Sequence, residues 1–279
     1  MPKPSRGLLA LILFVTLGAA QGPKKFQPGF NLFSKQQDVQ LGQESAAQVR
    51  KQMTMVKDPF LNQYVNLVGK RLANSREAQE SEFPFTFEVV ADPSINAFAL
   101  PGGPMFINTG LLKAVDSEAQ LAGVMGHEMS HVILRHGTNQ ASKSELLRLP
   151  AILGSQIAGG SVAGQLAQLG IGLGANSVLL KFSRTAETQA DLTGTHLMAE
   201  AGYNPMEMAR LFDKLSAQGG QRAPQFMSDH PNPDNRERAI AEEASHLPKR
   251  TYGYQTGLFQ QMKQAVAGIH EPRPKAAPR

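Results

Sequence analysis

His127-Glu128-Met129-Ser130-His131 is the stretch of this chain best equipped for chemistry. On a helix, which advances about 100° per residue, the two histidines fall about 40° apart and one turn from each other, so both imidazoles can reach one cation. Glu128 lies on the flank of the pair. It is too near in sequence to join both histidines as a ligand without strain, but it is placed to touch a water beside the cation. The chemistry this suits is metal-assisted hydrolysis, in which the metal acidifies water and polarises a carbonyl while a carboxylate takes the proton and returns it to the leaving group. The chain contains no cysteine. Any metal must therefore be held by His, Asp or Glu, and thiol nucleophiles, thiolate metal sites and disulfide frameworks are excluded.

A catalytic zinc takes three protein ligands and keeps one position open, so a third ligand has to come from elsewhere in the chain. His136, past His131 by about 140° round a continuous helix, reads as a cation at the helix C-terminus. Glu187 and Asp191 stand at i and i+4 on one helix face, and the small Ala190 beside them permits close approach to another helix. Alone, such a pair is most often a solvated helix face. Beside H-E-x-x-H it is the pairing expected of a carboxylate ligand and a carboxylate that orients a histidine. His196 falls on the opposite face of the same helix and reads as structural.

Helices and a sheet must bring these residues together. The H-E-x-x-H helix is bounded by Asp116 or Ser117 as N-cap, with Ser117-x-x-Gln120 as a capping box, and by Gly137 after Arg135 and His136. Leu121, Val124, Met125, Val132 and Ile133 supply its apolar side. The Glu187 helix spans residues 181–201 and stops at Gly202, and another follows over 205–217 behind an Asn204 cap. Upstream, residues 37–57 and 59–76 read as amphipathic helices, with Leu61, Val65, Val68 and Leu72 at helical spacing. Phe83, Phe85, Phe87 and Val89 then alternate with polar or small residues as in a strand, and residues 95–100 and 105–108 flank a Pro101-Gly102-Gly103-Pro104 turn. The pattern predicts an α+β, predominantly helical fold with a small antiparallel sheet ahead of the H-E-x-x-H helix.

The chain has 279 residues, 41% of them hydrophobic and 18% charged, which describes a globular protein and excludes wholesale disorder, collagen and polytopic membrane classes. Its formal charge of +5 is spread without a Lys/Arg block, which argues against nucleic acid as a partner. Lys3 and Arg6, the apolar run over 8–17 and the small residues Gly18-Ala19-Ala20 form a signal peptide pattern over 1–20. Residues 149–180 carry no charge and are rich in glycine. Polar residues such as Gln156, Gln165 and Asn176 interrupt every apolar run, so the reading is a glycine-rich lid or loop, with membrane-surface contact and a membrane-spanning hairpin as alternatives.

The stretch from Val124 to Val132, Arg184-x-x-Glu187-x-x-Ala190-Asp191, and His230-Pro231 followed by Arg236 together resemble the HtpX- and BepA-like zinc metallopeptidases. Residues 96–103 and Thr109-Gly110-Leu111-Leu112 are similar to that family's strand region ahead of the active-site helix. The resemblance implies a zincin-like fold holding one zinc ion on His127, His131 and Glu187, with Glu128 as general base. Asp191 then supports a ligand histidine, His127, and Arg236 stands beside the ligands. His230 is either a fourth ligand in a closed state or a donor to the oxyanion; the alternative is a loop histidine paired with Asp229 or Asp234. Extended substrate is expected along Asn96, Ala97, Phe98 and Ala99.

The organisation expected is a leader over 1–20, a linker over 21–36, a metallopeptidase domain over 37–247, a C-terminal helix over 248–269 and a disordered tail over 270–279. Spanning helices found in cytoplasmic-membrane members and C-terminal helical repeats found in periplasmic ones are not expected here. The resemblance implies an exported, periplasmic zinc endopeptidase acting on unfolded or misfolded envelope proteins, with outer-membrane assembly machinery as a further partner. The alternative is a zinc-containing chaperone or assembly factor with little proteolysis, against which the intact Glu128 stands.

Overall fold

The structure is a computed structural model that describes residues 22–152, 182–217, 224–231 and 235–272. The expected leader, residues 153–180 of the glycine-rich segment, Asp234 and the end of the tail lie outside the described residues. Two capped helices come first. In α1 (Lys35–Gln52) the Ser34 side chain accepts from Gln37 N while the Gln37 side chain accepts from Ser34 N, and in α2 (Pro59–Ala73) Asp58 accepts from Leu61 N with Pro59 in the first turn. Both helices begin where a side-chain acceptor meets otherwise unpaired amides. A short α3 (Arg76–Ser81) then leads into the sheet.

The sheet contains β1 (Thr86–Val90), β2 (Ala97–Ala99) and β3 (Pro104–Asn108) in the order β1-β3-β2. β2 and β3 form the expected antiparallel pair, because Gly102 and Gly103 take the positive φ values of 75° and 121° that the tight turn requires. β1 instead pairs with β3 in parallel, so the sheet is mixed rather than purely antiparallel. The alternation of phenylalanines marks a strand but carries no information about which neighbour it joins. Met55 adds an isolated antiparallel bridge to Val90. β2 is left as an edge strand.

The remaining helices are α4 (Thr109–Ala114), α5 (Glu118–Ile133), α6 (His136–Ile152), α7 (Arg184–Glu200), α8 (Met206–Ala217), α9 (Gln225–Asp229), α10 (Arg236–His246) and α11 (Phe259–Ala267). The main core lies between the sheet and α2, α5, α7 and α8, with Val65, Val68, Val89, Ile107, Leu121, Val124, Met125, Leu197, Leu211 and Phe212 fully buried. A smaller cluster of Ala46, Val49, Val90, Phe98, Leu100 and Phe106 lies between α1 and the other face of the sheet. α5 runs through the centre of this arrangement. Its first turn is fixed by Ser117, which accepts from Gln120 N, while the Gln120 side chain accepts from Asp116 N, one residue upstream of the reciprocal partner a capping box would use.

α5 and α7 pack against each other at glycines. A Cβ at Gly194 would lie 3.2 Å from His127 N and 3.3 Å from Gly126 C, a crowded contact that would make the neighbouring helix give by a few tenths of an ångström. Ala190 and Leu197 on the same face are fully buried. The H-E-x-x-H and E-x-x-x-D residues thereby come to face each other. At its far end α5 stops at Arg135, in the left-handed region at φ 55°, rather than at Gly137. The Arg135 guanidinium holds this break by donating to Asp38 of α1, Nε to Oδ2 at 2.7 Å and Nη2 to Oδ1 at 3.1 Å.

Candidate metal centre

His127, His131, Glu187 and His230 gather their ligand atoms within 4.8 Å of one another, all four side chains buried. His127 Nε2 lies 3.0 Å from His131 Nε2, 3.2 Å from His230 Nδ1 and 3.4 Å from Glu187 Oε2. Glu187 Oε1 lies 3.6 Å from His131 Nε2 and 3.1 Å from His230 Nδ1. Ligands about 2.0–2.1 Å from a tetrahedral zinc stand about 3.3–3.4 Å apart, so these spacings fit one such ion.

The supports of the cluster are as specific as its members. Asp191 Oδ1 lies 2.9 Å from His127 Nδ1, which fixes the histidine with its proton on Nδ1 and its Nε2 lone pair facing the cluster. Arg236 donates from Nε to Asp191 Oδ2 at 2.6 Å and from Nη2 to Glu187 Oε2 at 3.1 Å, and its guanidinium carbon sits 4.3 Å above the centre of the Phe212 ring. One cation thus holds both carboxylates of the E-x-x-x-D pair. The small α9 carries His230 at its C-terminal end, with His230 N donating to Phe226 O and the imidazole stacked on Phe226 at 4.6 Å between centroids. His230 faces Glu187 and Glu128, whereas Asp229 accepts from Asn96 Nδ2 at 3.1 Å.

Charge in the site calls for a cation. Burial works against the charged rings of His127 and His230, yet the carboxylates overcome it: hydrogen bonds to Asp191 and Glu187 raise His127, and Glu128 with Glu187 pushes His230 up to about 10. Burial opposes ionisation of Glu187 as well, but the surrounding histidines hold its carboxyl far below the usual range. His131, desolvated and beside His127, is driven well down. A buried group of nitrogen and carboxylate donors that draws protons into itself is a group whose place for positive charge a metal ion can take.

Glu128 is 3% exposed. Its Oε1 faces His230 Nε2 at the ion-pair distance of 3.1 Å and, among the described residues, makes no hydrogen bond. A carboxylate oxygen beside a metal cluster with no hydrogen bond made to it is placed to take a proton from water.

The sequence model of peptidase family M48 matches residues 59–244. The chain belongs to that family. It is 32% identical over 207 residues to the beta-barrel assembly-enhancing protease of Escherichia coli K12, covering 72% of this chain and 42% of that protein. It is 30% identical over 235 residues to the protein of that name from Yersinia pestis, covering 81% and 48%. It is 34% identical over 181 residues to the mitochondrial metalloendopeptidase OMA1 of Schizosaccharomyces pombe, covering 64% and 52%. The chain spans about half the length of the curated relatives it matches.

In this M48 chain the structure brings His127, Glu128, His131, Glu187, Asp191, His230 and Arg236 together and sets Asn96 of the edge-strand region against Asp229, whereas Phe98 is turned into the α1 cluster on the other face of the sheet. Leu100 N donates to Pro104 O and Asn108 N donates to Asn96 O, so residues 96, 98 and 100 are turned toward β3 and the amides and carbonyls of Ala97 and Ala99 point off the outer edge. Among the described residues no strand pairs with that edge. Ile95 O, just before it, accepts from Phe226 N of α9, placing the edge beside His230.

His136 departs from its expected role. It opens α6, is 8% exposed, and burial lowers its pKa to about 4, so it is a neutral ring and not a helix-terminal cation. The left-handed turn at Arg135 is the reason: it swings His136 back so that its Nδ1 lies 3.0 Å from His131 Nδ1 and its Nε2 lies 3.1 Å from Gln189 Oε1. Phe182 was likewise without a signal in the sequence, yet its ring stacks on His131 at 4.1 Å between centroids. His196 is structural as expected, bonded through Nδ1 to Glu77 and through Nε2 to Glu243, each at 2.8 Å.

Proposed function

We propose that this M48 chain is a zinc-dependent endopeptidase that hydrolyses peptide bonds of unfolded or misfolded cell-envelope proteins. The observation that carries the reading is the buried Glu128 carboxylate, facing His230 and without a hydrogen bond on Oε1, beside the four-residue cluster. Nitrogen and carboxylate donors at near-tetrahedral spacing support zinc over the harder, oxygen-seeking cations. His127, His131 and Glu187 are the residues that hold it. Bound zinc supplies Lewis acidity, lowering the pKa of water toward ~7 and polarising the scissile carbonyl.

Glu128 Oε1 accepts the proton of the attacking water and returns it to the leaving amine. Asp191 keeps the His127 lone pair aimed at the ion, and Arg236 holds Asp191 and Glu187 in register. An extended segment is placed along β2, where half-buried Ala99 turns its amide and carbonyl outward while Ala97 is fully buried; such binding uses main-chain groups and needs no particular side chain. Unfolded chains are the substrates that can present such a segment. His230 stands between Glu128 and the other ligands, in the space that water and substrate require, which favours a closing ligand over an oxyanion donor.

The signal peptide pattern at the N-terminus supports export to the periplasm, and the names of the bacterial relatives support a setting near outer-membrane assembly. Among the described residues no helix is long and apolar enough to cross a membrane. Contact of residues 149–180 with a membrane surface remains part of the proposal only as a peripheral one. The competing reading, a zinc-containing chaperone or assembly factor, has no use for a buried Glu128 carboxylate beside the ligands.

The test is incubation of the purified chain with unfolded casein. Cleavage is expected, lost on chelation and restored by zinc, and absent in Glu128→Gln although that variant still binds zinc. Suppressed aggregation of casein without cleavage would establish the chaperone reading instead, and cleavage by Glu128→Gln at the wild-type rate would remove Glu128 from the base role.

A further inference from the structure

His131 uses both of its ring nitrogens. Nε2 faces His127 and Glu187 in the cluster, while Nδ1 faces His136 Nδ1 at 3.0 Å, and His136 Nε2 faces Gln189 Oε1 at 3.1 Å. His131 and His136 are both buried. A contact of this length between two imidazole nitrogens is a hydrogen bond when one nitrogen donates and the other accepts. An amide oxygen only accepts, so Gln189 places the proton of His136 on Nε2 and leaves Nδ1 as an acceptor. His131 then carries its own proton on Nδ1, and its Nε2 lone pair is free toward the cluster. The opposite proton order would put hydrogen on His131 Nε2 and close that nitrogen to a cation.

We propose that His136 and Gln189 form a relay that fixes the tautomer and ring orientation of His131, the service that Asp191 performs for His127. Both are positioning residues, and the inference rests on His131 being a metal ligand as read above. The two histidines are supported differently for an electrostatic reason. Glu128, Glu187 and Asp191 already place three carboxylates against His230, Arg236 and the metal the site would hold, and a neutral relay orients the second histidine without adding another charge. Gln189 stands between Glu187 and Asp191 on α7, so the helix that supplies the third ligand also supplies the end of the relay. The stacked Phe182 ring confines the other motion of His131, rotation out of its plane.

The experiment measures zinc affinity by competition with a chromophoric chelator in wild type, His131→Ala, His136→Leu, His136→Asn and Gln189→Glu, with thermal melting of each chain in chelator. His136→Leu is expected to weaken zinc binding about 10- to 100-fold, the usual effect of losing a residue that orients a ligand. His136→Asn puts an amide oxygen near the place of Nδ1, and Gln189→Glu keeps an acceptor for His136 Nε2. Both are expected to stay within about threefold of wild type in zinc affinity, given that the acceptor rather than the ring is what the relay needs, but Gln189→Glu alone is expected to melt lower in chelator because it adds the fourth carboxylate that the neutral relay avoids. Wild-type affinity in His136→Leu alongside lost affinity in His131→Ala would overturn the relay. Equal losses in His136→Leu and His136→Asn, tracking their melting temperatures, would do the same by making His136 a packing residue. Wild-type affinity in His131→Ala would instead overturn the metal-site reading beneath it.

Discussion

Arg236 and His127 do not touch, yet they hold the two oxygens of one carboxylate: Arg236 Nε donates to Asp191 Oδ2 at 2.6 Å, and Asp191 Oδ1 faces His127 Nδ1 at 2.9 Å. The same guanidinium reaches Glu187 through Nη2. Lysine offers one point of charge in place of the planar fork whose separate nitrogens meet the two carboxylates, so Arg236→Lys is expected to lower metal affinity about 10- to 100-fold. Arg236→Met, which takes the guanidinium away from two buried carboxylates and leaves them with their histidine partners alone, is expected to lower stability as well. Chelator competition and urea unfolding measure the two effects, and an Arg236→Lys chain with wild-type metal affinity would remove Arg236 from the support of the site.

Glu187 and Asp191 occupy one face of α7 but differ in what they lose on truncation. Glu187 contributes oxygens at ligand spacing from His127, His131 and His230, whereas Asp191 touches the cluster only through His127. Glu187→Ala is therefore expected to reduce metal affinity sharply, and Asp191→Ala by about 10- to 100-fold. The ranking is the check. A stronger loss in Asp191→Ala would exchange the two roles.

His230 blocks what it helps to hold. Its Nδ1 lies at ligand spacing from His127 and Glu187, and its Nε2 pairs with Glu128 Oε1 at 3.1 Å. His230→Ala is expected to raise basal cleavage of unfolded casein while zinc stays bound on the other three residues. A fall in turnover of about 10²- to 10³-fold would instead assign His230 to the oxyanion. A variant matching wild type in both turnover and metal coordination would leave it with neither role.

The legible part of this molecule is the part written in local spacing. His127 with His131 and Glu187 with Asp191 are i, i+4 pairs, so one helix turn places each pair on a common face without help from the rest of the chain. The Pro101-Gly102-Gly103-Pro104 turn fixes the β2–β3 hairpin in the same local way. His136 was misread because its position depends on Arg135 adopting φ 55°, a conformation stabilised by Asp38 from the distant α1. The parallel pairing of β1 with β3 escaped for a similar reason, since alternation reports which side chains face the core and not which strand lies alongside. Long-range partners decided both, and no local period encodes them.

His196 gives the fold a dependence on pH that is separate from the metal centre. Burial lowers its tendency to carry charge, but hydrogen bonds to Glu77 and Glu243 outweigh burial and raise its pKa above the ordinary 6.5. A group whose folded pKa lies above its unfolded pKa binds protons more tightly in the native state, so its stabilisation is fully present below the unfolded value and is lost as pH rises through the folded one. Each unit of that elevation contributes about 1.4 kcal/mol. The unfolding free energy of the wild-type chain is expected to fall as pH is raised above about 6.5, the unfolded value for histidine. Exchanging both partners for neutral amides, Glu77→Gln with Glu243→Gln, removes the cause of the elevation and is expected to flatten this fall. Urea unfolding at a series of pH values measures it, and equal slopes in the two chains would show that His196 is not the titrating group.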